Sequence, residues 1–264
     1  MAIRKFIKSV LRPMVSENVV PSCNVCGHMG GFIDNDPVRP RESFQCPSCR
    51  SNSRQRTMAL FVGGVLGAWQ PMVSWQADKN VRIFESSGFG GYPRYLAEKF
   101  TYYNTKFDPD VTSKGGYDNT KYADVQHMSY EDGTFDMVLS SDVLEHVRDY
   151  MKALHETRRV LKDGGVLLLQ VPYDHNRPET FFRVEVEGDK DIFLSEPYYH
   201  AEHYLVYRDY GRDLLTWLKD AGFSAGYINF ELPRHKIPRQ DMIIAAKSDY
   251  LDLSGISRLF EGRR

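Results

Sequence analysis

A chain of 264 residues has room for one large α/β domain with a small module attached. Its 42% hydrophobic, 13% aromatic and 26% charged residues can build a substantial core, and a net charge of −1 gives no overall attraction to nucleic acid or membrane. The charge is uneven: residues 1–56 hold nine Lys/Arg against four Asp/Glu, a basic front end that either admits an acidic partner such as a nucleic acid or is a solvated surface.

No stretch approaches the ~20 apolar residues that span a bilayer. The longest apolar run, residues 58–69, is interrupted by Gly63, Gly64 and Gly67. The opening MAIRKFIKSVLRP lacks a signal-peptide core and cleavage site, and all four cysteines fall in two CxxC pairs. Together these predict a cytoplasmic chain that uses its thiols for metal and not for disulfides.

Residues 1–20 begin with a basic amphipathic helix, Ile3, Phe6, Ile7, Val10 and Leu11 on one side, that either packs on its own protein or meets a membrane or partner. Residues 21–56 form the cysteine module. Cys23 and Cys26 make one knuckle, Cys46 and Cys49 the other, and the nineteen residues between them fit a four-thiolate zinc site. Gly27 and Pro47 suit tight turns whose amides point at sulfur, and four thiolates leave no position for substrate, so the zinc is expected to be structural. Residues 57–79 follow as a helix capped by Asn52 or Ser53 and then a polar linker. Arg54 and Arg56 on its first turn either hold an anion or anchor the module to the main domain.

The main domain, residues 80–247, opens with a strand over 81–85, a glycine-rich turn over 86–91 and a helix over 92–100. In a doubly wound fold this is where a nucleotide-like ligand sits, since small residues let the backbone approach it at a helix N-terminus. Residues 101–107 read as a second strand. Residues 135–139 form a strand, Tyr150, Leu154, Thr157 and Leu161 give a helical stripe closed by Gly164, and 166–171 form a strand apolar on both faces, a right-handed crossover unit. A long aromatic insertion, 173–207, follows with His175, His200 and His203. It leaves the carboxyl edge of the sheet, so it is expected as a lid or acceptor-binding segment. A helix over 211–222, two closing antiparallel strands and a tail over 248–264 complete the chain.

FDMVLSSDVLEHV followed by RRVLKDGGVLLLQVP resembles the fourth and fifth strand region of class I S-adenosylmethionine-dependent methyltransferases, of the type 11 kind. The resemblance implies a seven-stranded, mostly parallel Rossmann-like sheet, with S-adenosylmethionine as the methyl donor. It assigns Glu85, Ser86, Ser87, Gly88 and Gly90 to the first donor motif, although the glycines stand at 88, 90 and 91 instead of at alternate positions from two after Glu85. It also assigns Asp108 to the ribose, Asp124 and Val125 to the adenine, and Ser140 and Asp142 to the pocket after the fourth strand. His146 beside Glu145 is either a general base or a structural part of that loop. A HAEHYLVYRDYG-like segment after the fifth strand, in proteins that also carry the cysteine module, implies that His203 and Tyr207 lie near the acceptor. The expected activity is methyl transfer to an oxygen or nitrogen of a sugar or other small metabolite, with an RNA- or protein-directed enzyme and a donor-binding protein without turnover as the alternatives. Oligomeric state is left open.

Overall fold

Strand residues alternate between two apolar clusters, which places the sheet between two layers. Ile83, Met137, Leu139, Leu168 and Ile244 face one cluster, and their neighbours Phe84, Val138, Leu167, Leu169 and Ile243 face the other. The structure, a computed structural model, describes residues 20–107, 121–201 and 203–248. The N-terminal amphipathic helix, Asp108 and residues 249–264 of the tail lie outside the described residues.

The central sheet contains β1 (Arg82–Ser86), β2 (Thr101–Thr105), β3 (Phe135–Ser141), β4 (Leu161–Gln170), β11 (Ser224–Leu232) and β12 (Ile237–Ala246). Their spatial order is β11-β12-β4-β3-β1-β2. β2, β1, β3 and β4 are parallel neighbours, and β12 and β11 add an antiparallel edge. A seventh position beside β2 is held by one parallel bridge between Lys106 and Tyr122, with Lys106 N donating to Lys121 O at 2.8 Å.

The sequence explains the helices that cover this sheet. α1 (Ser53–Leu66) starts with a capping box: Gln55 N donates to Asn52 Oδ1 at 2.9 Å and Asn52 N donates to Gln55 Oε1 at 3.1 Å. Gly67 ends it with φ 68°. Residues 53–64 are buried all round, because α1 lies between the cysteine module and the sheet. α2 (Pro93–Lys99) covers the same face. On the opposite face lie α3 (Tyr150–Val160), capped by Asp149 accepting from Lys152 N at 2.9 Å, and α4 (Leu214–Asp220).

Two local expectations change. The third helix stops at Val160, not at Gly164, because Leu161 already pairs with Phe135 as β4 begins. Gly164 keeps its left-handed φ of 77°, in a turn whose amide donates to Lys247 O at 2.9 Å. Residues 70–79, expected as a polar linker, bury Met72 and Trp75, and the Met72 and Val73 amides donate to the carbonyls of Asn24 and Val25. The segment therefore straps the first knuckle to the main core.

The insertion folds into three short antiparallel ladders, β5 (Phe181–Phe182) with β10 (Arg208–Asp209), β6 (Val184–Glu187) with β7 (Lys190–Phe193), and β8 (Tyr199–His200) with β9 (Tyr204–Leu205). It is seated on the loop after β3: Tyr207 N donates to Glu145 O at 2.9 Å, and the Tyr210 hydroxyl donates to Leu144 O at 3.0 Å.

Candidate functional site

The two knuckles bring four sulfurs together. Cys23 and Cys49 Sγ are 3.7 Å apart, as are Cys26 and Cys46 Sγ, and all four lie within 4.8 Å of one another. A tetrahedral ion with Zn–S bonds of ~2.3 Å requires sulfur–sulfur edges of about 3.8 Å, so the donor set fits zinc. The two turns are built alike: Gly27 N donates to Cys23 O at 2.8 Å with Gly27 at φ 79°, and Arg50 N donates to Cys46 O at 2.9 Å with Arg50 at φ 66°. The Cys23 thiol is pulled down to about 4, first by a hydrogen bond from Cys49 and then by the amides of Cys26 and Val25 against the opposing effect of burial. The Cys49 thiol is pushed up by giving that hydrogen bond.

Arg56 stands behind this centre, fully buried. Its guanidinium donates to Ser51 O at 2.6 Å, His235 O at 2.8 Å and Lys236 O at 2.9 Å, and lies 4.5 Å from the Phe32 ring centroid. Of the two sequence readings for Arg54 and Arg56, the geometry is that of an anchor: Arg56 holds backbone carbonyls, and Arg54 holds the carboxylates of Glu42 and Asp142.

The glycine turn and the start of α1 enclose a cleft of about 210 Å³ at the carboxyl end of β1. Glu85, Ser87, Gly88 and Phe89 form one side, Arg54, Gln55 and Met58 another, and Ser141 and Gln170 a third. Glu85 is buried and accepts hydrogen bonds from the hydroxyls of Tyr92 and Tyr102. Burial nevertheless lifts its carboxyl to about 7. Gly88 is held by Asn104, whose side chain both accepts from Gly88 N at 2.9 Å and donates to Gly88 O at 2.7 Å. Gln170 Nε2 is buried and meets no acceptor among the described residues. An orphan donor on a small-residue cradle suits a polar ligand.

Beyond Ser141, Asp142 takes a left-handed φ of 52° and is clamped by two arginines. Arg41 donates to its Oδ1, and Arg54 Nη1 lies 2.6 Å from its Oδ2 and 3.0 Å from Ser141 Oγ. Burial opposes the Asp142 charge, but Arg41 and Arg54 outweigh it and hold the carboxyl below the usual range. Glu145 and His146 follow on a single 3₁₀ turn, and His200 of β8 reaches them from the insertion, with its Nδ1 3.1 Å from His146 Nε2.

The other expected residues are spread more widely. Ser86 and Ser140 face each other across the β1–β3 ladder at the carboxyl edge. Asp124 spends its carboxylate on its own turn, accepting from Gln126 N at 2.9 Å and Gln126 Nε2 at 3.1 Å, and Val125 packs on the cluster beneath α3. His203 is exposed against the Tyr204 ring, while the Tyr207 hydroxyl donates to Asp191 at 3.0 Å. Sequence reasoning missed Arg41 as a partner of Asp142, Tyr92 and Tyr102 as donors to Glu85, and the meeting of His200 with His146. Tyr92 is only seven residues from Glu85, but the other contacts join residues that only the topology brings together.

Residues 86–169, from the end of β1 to the end of β4, match the methyltransferase domain family. An uncharacterized protein of Methanocaldococcus jannaschii is 41% identical over 71 residues, covering 27% of this chain and 29% of its own length. A sarcosine/dimethylglycine N-methyltransferase of Halorhodospira halochloris is 26% identical over 166 residues, covering 58% of this chain and 54% of its own. The chain thus spans less than two thirds of either relative. Among solved structures, a Burkholderia thailandensis 1,6-didemethyltoxoflavin-N1-methyltransferase with bound 1,6-didemethyltoxoflavin and S-adenosylhomocysteine is 17% identical, with 72% of this chain and 76% of that one covered and a TM-score of 0.41. Residues 86–169, which carry the glycine turn and the loop after β3, are therefore similar to the methyltransferase domain family.

Proposed function

We propose that the chain is an S-adenosylmethionine-dependent methyltransferase acting on an oxygen or nitrogen of a small-molecule acceptor, with zinc in a structural role at the four cysteines. The observation that carries this reading is that the segment similar to the methyltransferase domain family, residues 86–169, supplies Ser87, Gly88, Phe89, Tyr92 and Ser141 to the walls of the cleft. Ser86, Ser87 and Gly88 would cradle the donor, Gln170 Nε2 supplies an unused donor, and Ser140 and Asp142 border the methyl-bearing end. Asp124 and Val125 are the candidates for the adenine side, and Asp108 for the ribose. The cleft is narrow, and Phe89, 52% exposed on its wall, is the side chain that would have to give way for a donor to enter.

S-adenosylmethionine supplies an activated methyl group, and this chain aligns it with the acceptor and excludes water. The insertion, seated on the loop after β3, supports an acceptor-side role for His203 and Tyr207. His146 is pushed below its ordinary value first by burial, so its imidazole is neutral near pH 7 on the loop that the insertion covers.

A small acceptor is favoured over RNA by how the basic front end is used. Arg39 pairs with Asp36, Arg41 and Arg54 with Asp142 and Glu42, and Arg56 with backbone carbonyls. These four of the nine basic residues of the front end are engaged in the protein's own packing and are not free to track phosphates. Thiols kept for a metal support a cytoplasmic setting. No helix among the described residues is long and apolar enough to cross a membrane.

Calorimetry of the full chain with S-adenosylmethionine and S-adenosylhomocysteine tests the reading, with one site per chain expected for each. Absence of binding by either refutes it. Binding of both with no methyl released across a panel of hydroxyl and amine acceptors would favour a donor-binding protein, the reading that the narrow, Arg54-lined cleft supports second.

A further inference from the structure

We propose that Glu145, His146 and His200 form a second metal centre, a two-histidine, one-carboxylate site for a divalent transition-metal ion, distinct from the four cysteines. Three distances carry it. His146 Nε2 and His200 Nδ1 are 3.1 Å apart, and each lies 3.8 Å from Glu145 Oε1. The point equidistant from these three atoms lies about 2.1 Å from each, inside the ~2.0–2.2 Å range of metal bonds to imidazole nitrogen and carboxylate oxygen.

The surroundings aim the ligands. His146 Nδ1 is 2.8 Å from Leu205 O, a carbonyl that can only accept, so the ring proton sits on Nδ1 and the Nε2 lone pair faces the cluster. A carbonyl behind a histidine is the usual way a metal-bound imidazole is oriented. The two rings meet edge to face at 4.8 Å between centroids, with nitrogen facing nitrogen. Such an approach needs either a shared proton or a cation between the lone pairs.

Glu145 is the independent observation. Its side chain is 0% exposed, and neither carboxylate oxygen has a hydrogen-bond donor among the described residues. Both histidine nitrogens are too far from it, at 3.8 Å, for a hydrogen bond. Native structures rarely leave a buried carboxyl so unserved, and a cation at the centre of the triangle would satisfy it. Mixed imidazole and carboxylate ligation suits zinc, iron(II) or cobalt(II) better than magnesium or calcium, and three protein ligands leave positions open.

The insertion supplies His200 and the loop after β3 supplies the other two ligands, so a bound ion would tie one to the other next to Ser141 of the cleft. Its open positions would polarise an acceptor oxygen or nitrogen, a use that rests on the methyl-transfer reading. The binding itself does not.

The test is a titration of tag-free full-length protein with cobalt(II), following absorption and stoichiometry with the cysteine centre already filled by zinc. The expected result is one further equivalent bound, with weak d–d bands and no thiolate charge-transfer band. That equivalent should disappear in His200→Ala and weaken at least tenfold in Glu145→Gln, while zinc content and the fold by circular dichroism stay unchanged. No further equivalent in the parent protein, or one that persists unaltered in both variants, overturns the proposal. Calorimetry with S-adenosylmethionine on metal-stripped and cobalt-loaded protein separates this outcome from failure of the donor reading.

Discussion

Replacing Arg56 by methionine should lower stability by about 3 kcal/mol and loosen the zinc centre. The guanidinium is fully buried, and burial, partly offset by the neighbouring cysteines, depresses its pKa to about 10, a net penalty on the charged form on the order of 3 kcal/mol at ~1.4 kcal/mol per pH unit. Against that stand three charged hydrogen bonds to Ser51, His235 and Lys236 carbonyls, each contributing about 1.5–3 kcal/mol. Methionine relieves the desolvation cost but removes all three bonds and strands their acceptors, so the loss exceeds the relief. Zinc held by four thiolates carries a charge of about −2, and Arg56 is a cation beside it, so metal affinity should fall about 10–100-fold as well. Urea unfolding of the zinc-loaded protein measures the first effect as a lower midpoint at unchanged slope, and competition with a chromophoric chelator measures the second. Arg56→Lys, which cannot reach three carbonyls with one ammonium, should recover only part of either. A methionine variant within about 0.5 kcal/mol of the parent would refute the anchor argument.

Gly91→Ala should cost at least about 3 kcal/mol, because a Cβ there would stand 1.9 Å from the Cys49 carbonyl oxygen, with backbone on both sides and nowhere to move. Gly31→Ala, which meets nothing within 4 Å, serves as the control and should stay within about 0.5 kcal/mol by thermal unfolding. Glu85 titrates near 7 in the folded protein and near 4.5 when free, so the native state binds more protons between those values and stability falls as pH rises through that window. Glu85→Gln should flatten this slope, worth on the order of 3 kcal/mol over the window, and an unchanged slope in unfolding curves from pH 5 to 8 would show that Glu85 is not its source. Elemental analysis should find zinc at the cysteine centre, and Cys46→Ser should lose that metal and unfold the module, since structural zinc can contribute ~10 kcal/mol in small domains. Metal retained by the serine variant would contradict a four-thiolate site.

The parts of this fold that could be read from the sequence are those fixed by neighbours along the chain. The strands read over 81–85 and 135–139, the helix cap at Asn52 and the paired CxxC knuckles each need only a few adjacent residues, and each is present in the structure. The parts that could not be read join distant segments. Asp142 was singled out as a pocket residue, yet its conformation depends on arginines from the cysteine module and α1. His146 was weighed without its partner His200, fifty-four residues on, because nothing local says which of the insertion's histidines returns to the loop after β3. The sequence places Asp124 on the adenine side without showing that Gln126 already occupies its carboxylate.

The irregular glycine pattern shows how those distant contacts shape the site. Measured against the methyltransferase motif, glycines at 88, 90 and 91 look misplaced. Two of the three, however, answer to the cysteine module and α1. A Cβ on Gly90, already at φ 81°, would meet the Gln55 side chain at 2.3 Å, and one on Gly91 would strike Cys49 O and crowd the Ser51 amide. Gly88 alone faces Glu85 and the Tyr102 hydroxyl inside the cleft. The turn therefore admits a metal knuckle and a helix N-terminus against its outer side, where a side chain at 90 or 91 would force them away. Arg54 and Gln55, which contact that turn, belong to the same helix as Arg56, which anchors the zinc centre, so the order of the metal site passes to the cleft through about one helical turn of rigid backbone. Loss of zinc should for this reason reach the cleft before it reaches the sheet, whose β3–β4 core lies on the far side of α1.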